Sequence, residues 1–361
     1  MSEKILVINP GSTSTKLAVY DGENEYLSKT LRHTAEEIGQ FERIIDQYEF
    51  RKAIIEGFLK ESNLEISDFI AVIGRGGLVR PIPGGVYRVD EKMLEDLKSD
   101  KRGEHASNLG AVLAYELTKG TSIPSFIADP VVVDEMCELA RYSGHPMIQR
   151  RSVFHALNQK AVALKAAEEI GKPYEDINLI VVHMGGGISV GAHKKGKVID
   201  VNNALDGDGP FTPERTGTLP ITGLIDLCYS GKYTLQEMKK NLKGNGGLVS
   251  YLGINDGVEI QKKIRNGDKE AATVYRAMIY QIVKWIGKMA AVLKGEIDGI
   301  ILTGGLAYDQ DHVVKWISES VSYLGKLFVY PGGDEEEALA LAALRAVKGV
   351  VKTKIYSEEI L

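Results

Sequence analysis

Two kinds of hydrophobic pattern alternate along the chain. Residues 4–8 (KILVI) are a short apolar run rich in β-branched side chains, which predicts a buried strand. A small polar loop, Gly11 to Thr15, follows it. Lys16 to Tyr20 predict a second strand, and Asp21-Gly22 is a hairpin turn signal. Residues 33–61 read as helical, and 68–74 (DFIAVIG) as a buried strand running into a glycine loop. Two helical patterns lie within 90–119, around His105-Ala106-Ser107-Asn108. Residues 125–133 (SFIADPVVV) predict a strand broken at Asp129-Pro130, and 135–150 a change-over zone with Gly144 and Pro146. Residues 152–171 predict an alanine-rich helix capped by Gly171.

The second half opens like the first. A buried strand at 177–182 (INLIVV) leads into His183-Met184-Gly185-Gly186-Gly187, then a strand at 188–192 and a turn at Lys195-Gly196. With an offset of 174 residues, Leu179 falls on Ile5, His183 on Asn9, Gly185 on Gly11 and Gly196 on Gly22. A strand, a polar residue, a glycine loop, a second strand and a tight turn thus head each half, which predicts a duplicated fold. Residues 268–293 carry Ala271, Val274, Met278, Ile282, Trp285, Met289 and Leu293 at helical spacing, the pattern of a core helix with Gly295 behind it. Residues 297–303 (IDGIILT) predict a third buried strand, followed by Gly304-Gly305. A helix over 334–349 opens with Asp334 to Glu337, acids that suit a helix N-terminus.

Composition adds exclusions. The 361 residues are 44% hydrophobic and 26% charged, which argues against extended disorder. The net charge is −5, so no bulk basic charge draws the chain to nucleic acid. No apolar run approaches the ~20 residues of a membrane span, and the N-terminal run is too short for a signal segment. Cys137 and Cys228 form no CxxC pair and are expected to be buried thiols in a reduced, cytoplasmic protein. Glycine is the outlier, at 39 residues.

Many of those glycines gather at strand ends. Backbone N–H groups approach a phosphate closely where no Cβ intervenes, so Gly11–Thr15, Gly185–Gly187 and Gly304–Gly305 read as phosphate loops. Ser12, Thr13, Ser14 and Thr15 add hydroxyls, Lys16 a cation and Asn9 an amide. The standard nucleotide signatures GxxxxGK[ST] and GxGxxG are absent. Gly187-Ile188-Ser189-Val190-Gly191 is literally GxSxG, but a hydrolase elbow needs a strand, a sharp turn and a helix, and a hairpin is predicted here. Phosphoryl transfer relies on positioning and charge neutralisation. Arg75, in the glycine loop Gly74 to Gly77, and Arg215, in the irregular stretch 206–217, suit that task, although either could be a solvated surface arginine. Asp129 either caps its turn or holds a metal. His155, at a helix start, is either structural or catalytic.

Together these stretches resemble the acetate kinase family in its butyrate-type form. The resemblance rests on Asn9-Pro-Gly-Ser-Thr-Ser-Thr-Lys16, Val72-Ile-Gly-Arg-Gly-Gly77, His105 to Asn108, Ala128 to Val133, Ser152-Val-Phe-His-Ala-Leu-Asn158, His183 to Gly187, Pro213-Glu-Arg-Thr-Gly217 and Leu302-Thr-Gly-Gly-Leu306. It implies an α/β fold of two duplicated actin-like (ribonuclease H-like) ATPase domains with a nucleotide cleft between them. The expected domains are 1–149 plus 337–361, on the carboxylate and phosphate side, and 150–336, which binds nucleotide. The implied reaction is ATP plus a carboxylate giving ADP and an acyl phosphate, with Mg²⁺.

Carried over by position, Asn9, Ser12, Ser14 and Lys16 look like a first phosphate loop, and His183, Gly185, Gly186 and Gly187 like a second. Gly304 and Gly305 look like part of the adenosine site. Arg75 and Arg215 would flank the transferred group, Asp129 would be the essential acid, and His155 would face the phosphoryl. Asn9, Asp129 and either Glu335 or Glu336 would be linked to the metal. Pro10, the Gly-Arg-Gly-Gly run and His-Met-Gly-Gly-Gly depart from acetate kinases proper and favour butyrate over acetate. Isobutyrate and propionate are the alternatives, and Val79, Ile82 and Val86 are candidate pocket residues. A non-metabolic ATPase of the same fold and a sugar kinase are further alternatives. A homodimer or higher homo-oligomer is expected, with no membrane or nucleic-acid partner.

Overall fold

The computed structural model describes residues 2–360. The chain divides into two compact units, Met1–Asp134 with Asp334–Leu361, and Glu135–Gly333.

Unit 1 begins with an antiparallel meander, β1 (Lys4–Pro10), β2 (Ser14–Asp21) and β3 (Asn24–Arg32). Helices α1 (Ala35–Gly39) and α2 (Tyr48–Glu61) follow, so only part of 33–61 is helical. Strand β4 (Phe69–Arg75) pairs in parallel with β1, then come β5 (Val86–Arg88), α3 (Glu91–Lys98) and α4 (Asn108–Thr118). Strand β6 (Ser125–Ala128) pairs in parallel with β4 and ends before Asp129, so 131–133 do not extend it. A Cβ on Gly74 would collide with the Gly110 carbonyl, and one on Gly110 with the backbone of Arg75. These two glycines let α4 lie directly on β4.

Unit 2 opens with the short pair β7 (Tyr142–His145) and β8 (Ile148–Gln149), then α5 (Ala156–Ile170). Gly171 ends α5 at φ 76°, a left-handed cap that glycine adopts without Cβ strain. The second meander is β9 (Asn178–Met184), β10 (Ile188–Lys194) and β11 (Lys197–Val201). Four helices follow: α6 (Ile221–Tyr229), α7 (Leu235–Leu242), α8 (Gly247–Leu252) and α9 (Gly257–Arg265). The long α10 (Lys269–Val292), strand β12 (Gly299–Gly304), α11 (Lys315–Val321) and β13 (Leu327–Pro331) complete the unit. The chain then returns to unit 1 with α12 (Glu335–Val347), β14 (Lys354–Ile355) and α13 (Tyr356–Glu359).

The sheet orders record the duplication. Unit 1 has β14-β5-β6-β4-β1-β2-β3 and unit 2 has β11-β10-β9-β12-β13. The run β3-β2-β1-β4-β6 matches β11-β10-β9-β12-β13, with the same antiparallel and parallel pairings. Strand β9 starts and ends 174 residues after β1. Pro10 pairs with Thr15 but Met184 with Ile188, one residue less between partners, so the offset drops to 173 at the next turn. Gly22 (φ 63°) therefore corresponds to Lys195 (φ 50°), not to Gly196.

Alternation along β9 assigns its two faces. Ile180 and Val182 pack with Ile282 and Ile286 of α10, while Leu179 and Val181 pack with Ala163 and Ala166 of α5. Burying each such branched side chain is worth about 1.5–3 kcal/mol. Helix α12 plays the part of α5 in unit 1, packing on β1 and β4. Each of these crossing helices packs on the sheet of its own unit.

The first boundary falls at 134/135 instead of 149/150 because residues 135–149 bond into unit 2. Glu135 pairs with Lys160 (3.0 Å) and accepts from the Val198 N–H, and the Cys137 N–H donates to the Ile199 carbonyl. The second falls at 333/334 instead of 336/337, because α12 belongs with the unit 1 sheet. Both cysteines are exposed, which corrects the expectation of buried thiols. Cys228 lies on α6, a helix with no buried residue, and Cys137 just precedes a single helical turn at Glu138–Arg141. No helix among the described residues is long and apolar enough to cross a membrane.

Candidate active site

Each unit carries a polar cluster where its first hairpin meets the crossing helix. In unit 1, Asn9 at the end of β1 donates through Nδ2 to Glu335 Oε2 (2.8 Å) and Glu336 Oε1 (2.8 Å). Arg75, at the end of the neighbouring β4, pairs with Glu335 Oε1 at 2.8 Å and lies 3.4 Å from Asn9 Oδ1. Lys16 Nζ lies 2.6 Å from Glu336 Oε2. Burial alone would lower the lysine's pKa, but the hydrogen bond to Glu336 and its charge raise it above the ordinary value. The two glutamates differ in access: the Glu335 side chain is 29% exposed and that of Glu336 only 4%.

Ser12 and Thr13 are exposed on the loop between β1 and β2, and Ser14 is half-buried. Asp129, just after β6, has φ 38°, a left-handed conformation uncommon outside glycine. Its Oδ1 accepts from the Gly85 N–H (2.7 Å) and its N–H donates to the Gly85 carbonyl (3.1 Å). The capping role is thus realised for one carboxylate oxygen. Val79 and Ile82 lie in the core of unit 1, and Val86 is buried as well.

In unit 2, His183 stands at the end of β9 where Asn9 stands on β1. Its Nδ1 lies 2.6 Å from Asn158 Oδ1, on the first turn of α5. His155 precedes that helix and stacks on His183, with ring centroids 3.8 Å apart and planes 12° from parallel. Its Nδ1 lies 2.9 Å from Ser189 Oγ on β10. The 185–187 loop closes on itself through a Gly185 N–H bond to the Gly187 carbonyl (3.0 Å).

Arg215 reaches this loop. Its guanidinium donates to the Ala204 carbonyl and fills the space where a Cβ on Gly187 would stand. Burial lowers the Arg215 pKa below the ordinary arginine value, with Glu214 and Asp206 acting against it. Its buried Nε has no hydrogen-bond partner among the described residues. Thr212 ties the segment down, donating to the Gly186 carbonyl (2.6 Å) and accepting from the Arg215 N–H (3.0 Å). Gly304 (φ 88°) packs against the backbone of Met184, whereas a Cβ on Gly305 would meet nothing. Thr212, Asn158 and Ser189 are polar residues that sequence reasoning gave no role in the site. They lie beside recognised residues, but each reads as an ordinary polar position.

The acetokinase family model matches residues 140–335, more than half of the chain. The chain belongs to the acetokinase family. Solved structures share the fold. Porphyromonas gingivalis acetate kinase superposes with a TM-score of 0.78 at 19% identity, over 94% of this chain and 98% of that one. A propionate kinase from Francisella tularensis gives 0.74 at 18%, over 94% and 98%. Acetate kinase from Entamoeba histolytica gives 0.72 at 19%, over 93% and 98%. The α/β architecture with two similar ATPase-like units is therefore the one this acetokinase-family chain shares with them.

Proposed function

We propose that the protein transfers the γ-phosphoryl group of ATP to the carboxylate of a short-chain acid, giving ADP and an acyl phosphate. Arg215 is the observation that carries this reading: a half-buried cation whose buried Nε–H is unsatisfied, set against the glycine loop that ends at Gly187. An anion is the partner such a group lacks.

A short-chain carboxylate is already ionised at neutral pH, so its attack on phosphorus needs no general base. Arg75 and Arg215 neutralise charge on the equatorial oxygens, and His155 donates a hydrogen bond. Asn9, Ser12, Ser14 and Lys16 hold phosphate, as do His183 and Gly185 to Gly187, with Gly304 and Gly305 at the adenosine. Lys16 must then exchange Glu336 for phosphate.

The oxygen donors Asn9, Asp129 and Glu335 fit Mg²⁺, and Glu335 is favoured over Glu336 by its exposure. Among the described residues no group of three or more histidine, cysteine or acidic side chains is placed to hold a metal. Mg²⁺ bound with the nucleotide would be carried largely by phosphate and water, and its charge would balance that of the transferred group.

The finer reading is butyrate, supported by Pro10, the Gly-Arg-Gly-Gly run and His-Met-Gly-Gly-Gly. Propionate is the second reading, supported by the likeness to a solved propionate kinase. One methylene in an apolar pocket is worth only ~1–3 kcal/mol, so neighbouring and branched acids are expected as slower substrates. A homo-oligomer is supported by α6, which exposes Ile221, Ile225, Leu227 and Tyr229. The need for ATP supports a cytoplasmic setting.

Trapping the product as a hydroxamate, with ATP, Mg²⁺ and straight and branched acids of two to six carbons, tests the reading. Butyrate should give the highest kcat/KM. A preference for propionate moves the assignment to the second reading, and no product with any acid removes the kinase reading.

A further inference from the structure

The GxSxG sequence at 187–191 is no hydrolase elbow here, since it begins strand β10, and its alternate residues share one face of that strand. On that face a Cβ on Gly187 would strike Arg215, and one on Gly191 would lie 2.5 Å from Gln159 Oε1. Between them Ser189 is completely buried. Its Oγ lies 2.9 Å from His155 Nδ1 and 2.8 Å from Gln159 Nε2, and Gln159 Nε2 also lies 3.1 Å from the Ser189 carbonyl. Further along, Gln159 Oε1 lies 2.9 Å from His193 Nε2, and His193 Nδ1 lies 2.6 Å from the Tyr174 hydroxyl. Gln159 and His193 are also completely buried.

These contacts fix where the hydrogens are. A backbone carbonyl only accepts, so the Gln159 atom facing the Ser189 carbonyl is the amide nitrogen. The Gln159 oxygen then faces His193, which must carry its proton on Nε2. Burial, and next the charge of Lys160, hold the His193 pKa well below its ordinary value, so the ring is neutral. Its Nδ1 therefore accepts from the Tyr174 hydroxyl. At the other end Ser189 Oγ accepts from Gln159 and donates to His155 Nδ1. Were His155 to donate instead, the Ser189 hydroxyl would have no acceptor among the described residues, in a site closed to water.

We propose that Tyr174, His193, Gln159 and Ser189 form a one-way hydrogen-bond chain that locks His155 as the Nε2–H tautomer, making its ring a hydrogen-bond donor to the transferred phosphoryl group. The four are positioning residues, and the inference rests on the reading of His155 as the phosphoryl-facing histidine. Each bond polarises the next, so the His155 orientation is set from the buried interior of unit 2. The glycines at 187 and 191 make room for Arg215 and for the chain.

The test is a two-bond proton–nitrogen correlation spectrum of the full chain with ¹⁵N-labelled histidine, with His155 assigned by comparison with His155→Gln. The wild-type His155 should show an unprotonated Nδ1 and a protonated Nε2. Ser189→Ala, a small deletion that the strand tolerates, should give a mixture of tautomers. It should also lower kcat roughly tenfold, the equivalent of one net hydrogen bond, with KM for ATP unchanged. Ser189→Thr, which keeps the hydroxyl, should keep the Nε2–H tautomer. A wild-type His155 protonated on Nδ1, an unchanged tautomer in Ser189→Ala, or a lost tautomer with unchanged kcat would each overturn the proposal. The spectrum needs no substrate, so a failure of the kinase reading would leave it unaltered and be told apart.

Discussion

Arg51 of α2 holds the loop between β1 and β2 from behind, and replacing it should damage both fold and nucleotide binding. Its guanidinium donates to the carbonyls of Gly11 (2.9 Å), Ser14 (2.9 Å) and Ser12 (3.2 Å) and to Thr15 Oγ1 (3.1 Å). It also donates twice to Gln47 Oε1, at 3.1 and 2.8 Å. The His33 N–H takes the remaining loop carbonyl, that of Thr13 (2.9 Å). With its carbonyls tied inward, the loop leaves Ser12 and Thr13 exposed. Arg51 is 1% exposed, and burial pulls its pKa down to about 10, so it remains charged at neutral pH.

Arg51→Met keeps comparable volume and deletes every donor. Gln47 Oε1 is then orphaned in a buried position, a cost of about 1–3 kcal/mol, whereas the loop carbonyls can reach water. Adding one lost net bond to a charged donor, about 1.5–3 kcal/mol, gives a total of about 2.5–6 kcal/mol. At roughly 2–4 °C per kcal/mol for a unit of this size, Tm should fall by about 10 °C. Scanning calorimetry and initial rates with varied ATP read both effects, and KM for ATP should rise more than kcat falls. Arg51→Lys should recover little, because one ammonium cannot serve acceptors spread around a planar fork. An Arg51→Met protein within about 2 °C of the wild-type Tm, with unchanged KM, would refute the reasoning.

Three further outcomes are expected. Arg215→Ala should lower kcat by ~10³–10⁵ in steady-state assays, and near-normal turnover would show that Arg215 does not face the transferred group. Asp129→Asn should be severely impaired at every pH. Asparagine tolerates the left-handed φ and can still accept from Gly85, so its loss would report the missing charge, whereas recovery in alkali would point to a base. His193 is held neutral, with its folded pKa below the unfolded value, so on acidification the unfolded chain binds a proton that unit 2 refuses. Stability should therefore fall as pH drops below about 6.5, by up to about 1.4 kcal/mol per pH unit from this residue. Urea midpoints between pH 5 and 7.5 should show a shallower slope in His193→Gln, and an identical slope would contradict the assignment.

The parts of the fold legible in sequence are those where one periodicity dominates. The buried runs of β1, β4, β9 and β12, the Gly171 cap of α5 and the stripe of α10 follow from local chemistry. The repeat was readable because β1 and β9 are both unbroken apolar runs ending in glycine loops. Strand β3 is an edge strand with mostly exposed residues, so its sequence NEYLSKTLR lacks the alternation that a half-buried strand shows. Helices α6 to α9 bury very few side chains, so their apolar positions do not mark a core.

The site divides the same way. Glycine loops and strand-end residues such as Asn9, Arg75 and His183 announce themselves, because unusual residues stand where strands stop. The pairing of Asn9 with Glu335 and Glu336 does not, since it spans more than 320 residues and depends on α12 returning to unit 1. Arg51 and Gln159 sit within helices with nothing local to mark them. Their role arises only from packing.

The most direct test follows phosphorus itself. ³¹P NMR of the protein with ATP, Mg²⁺ and butyrate should show ADP and an acyl phosphate resonance growing in equal amounts, with little inorganic phosphate early in the reaction. Growth of ADP and inorganic phosphate without acyl phosphate, for butyrate and for propionate alike, would show an ATPase and contradict the account.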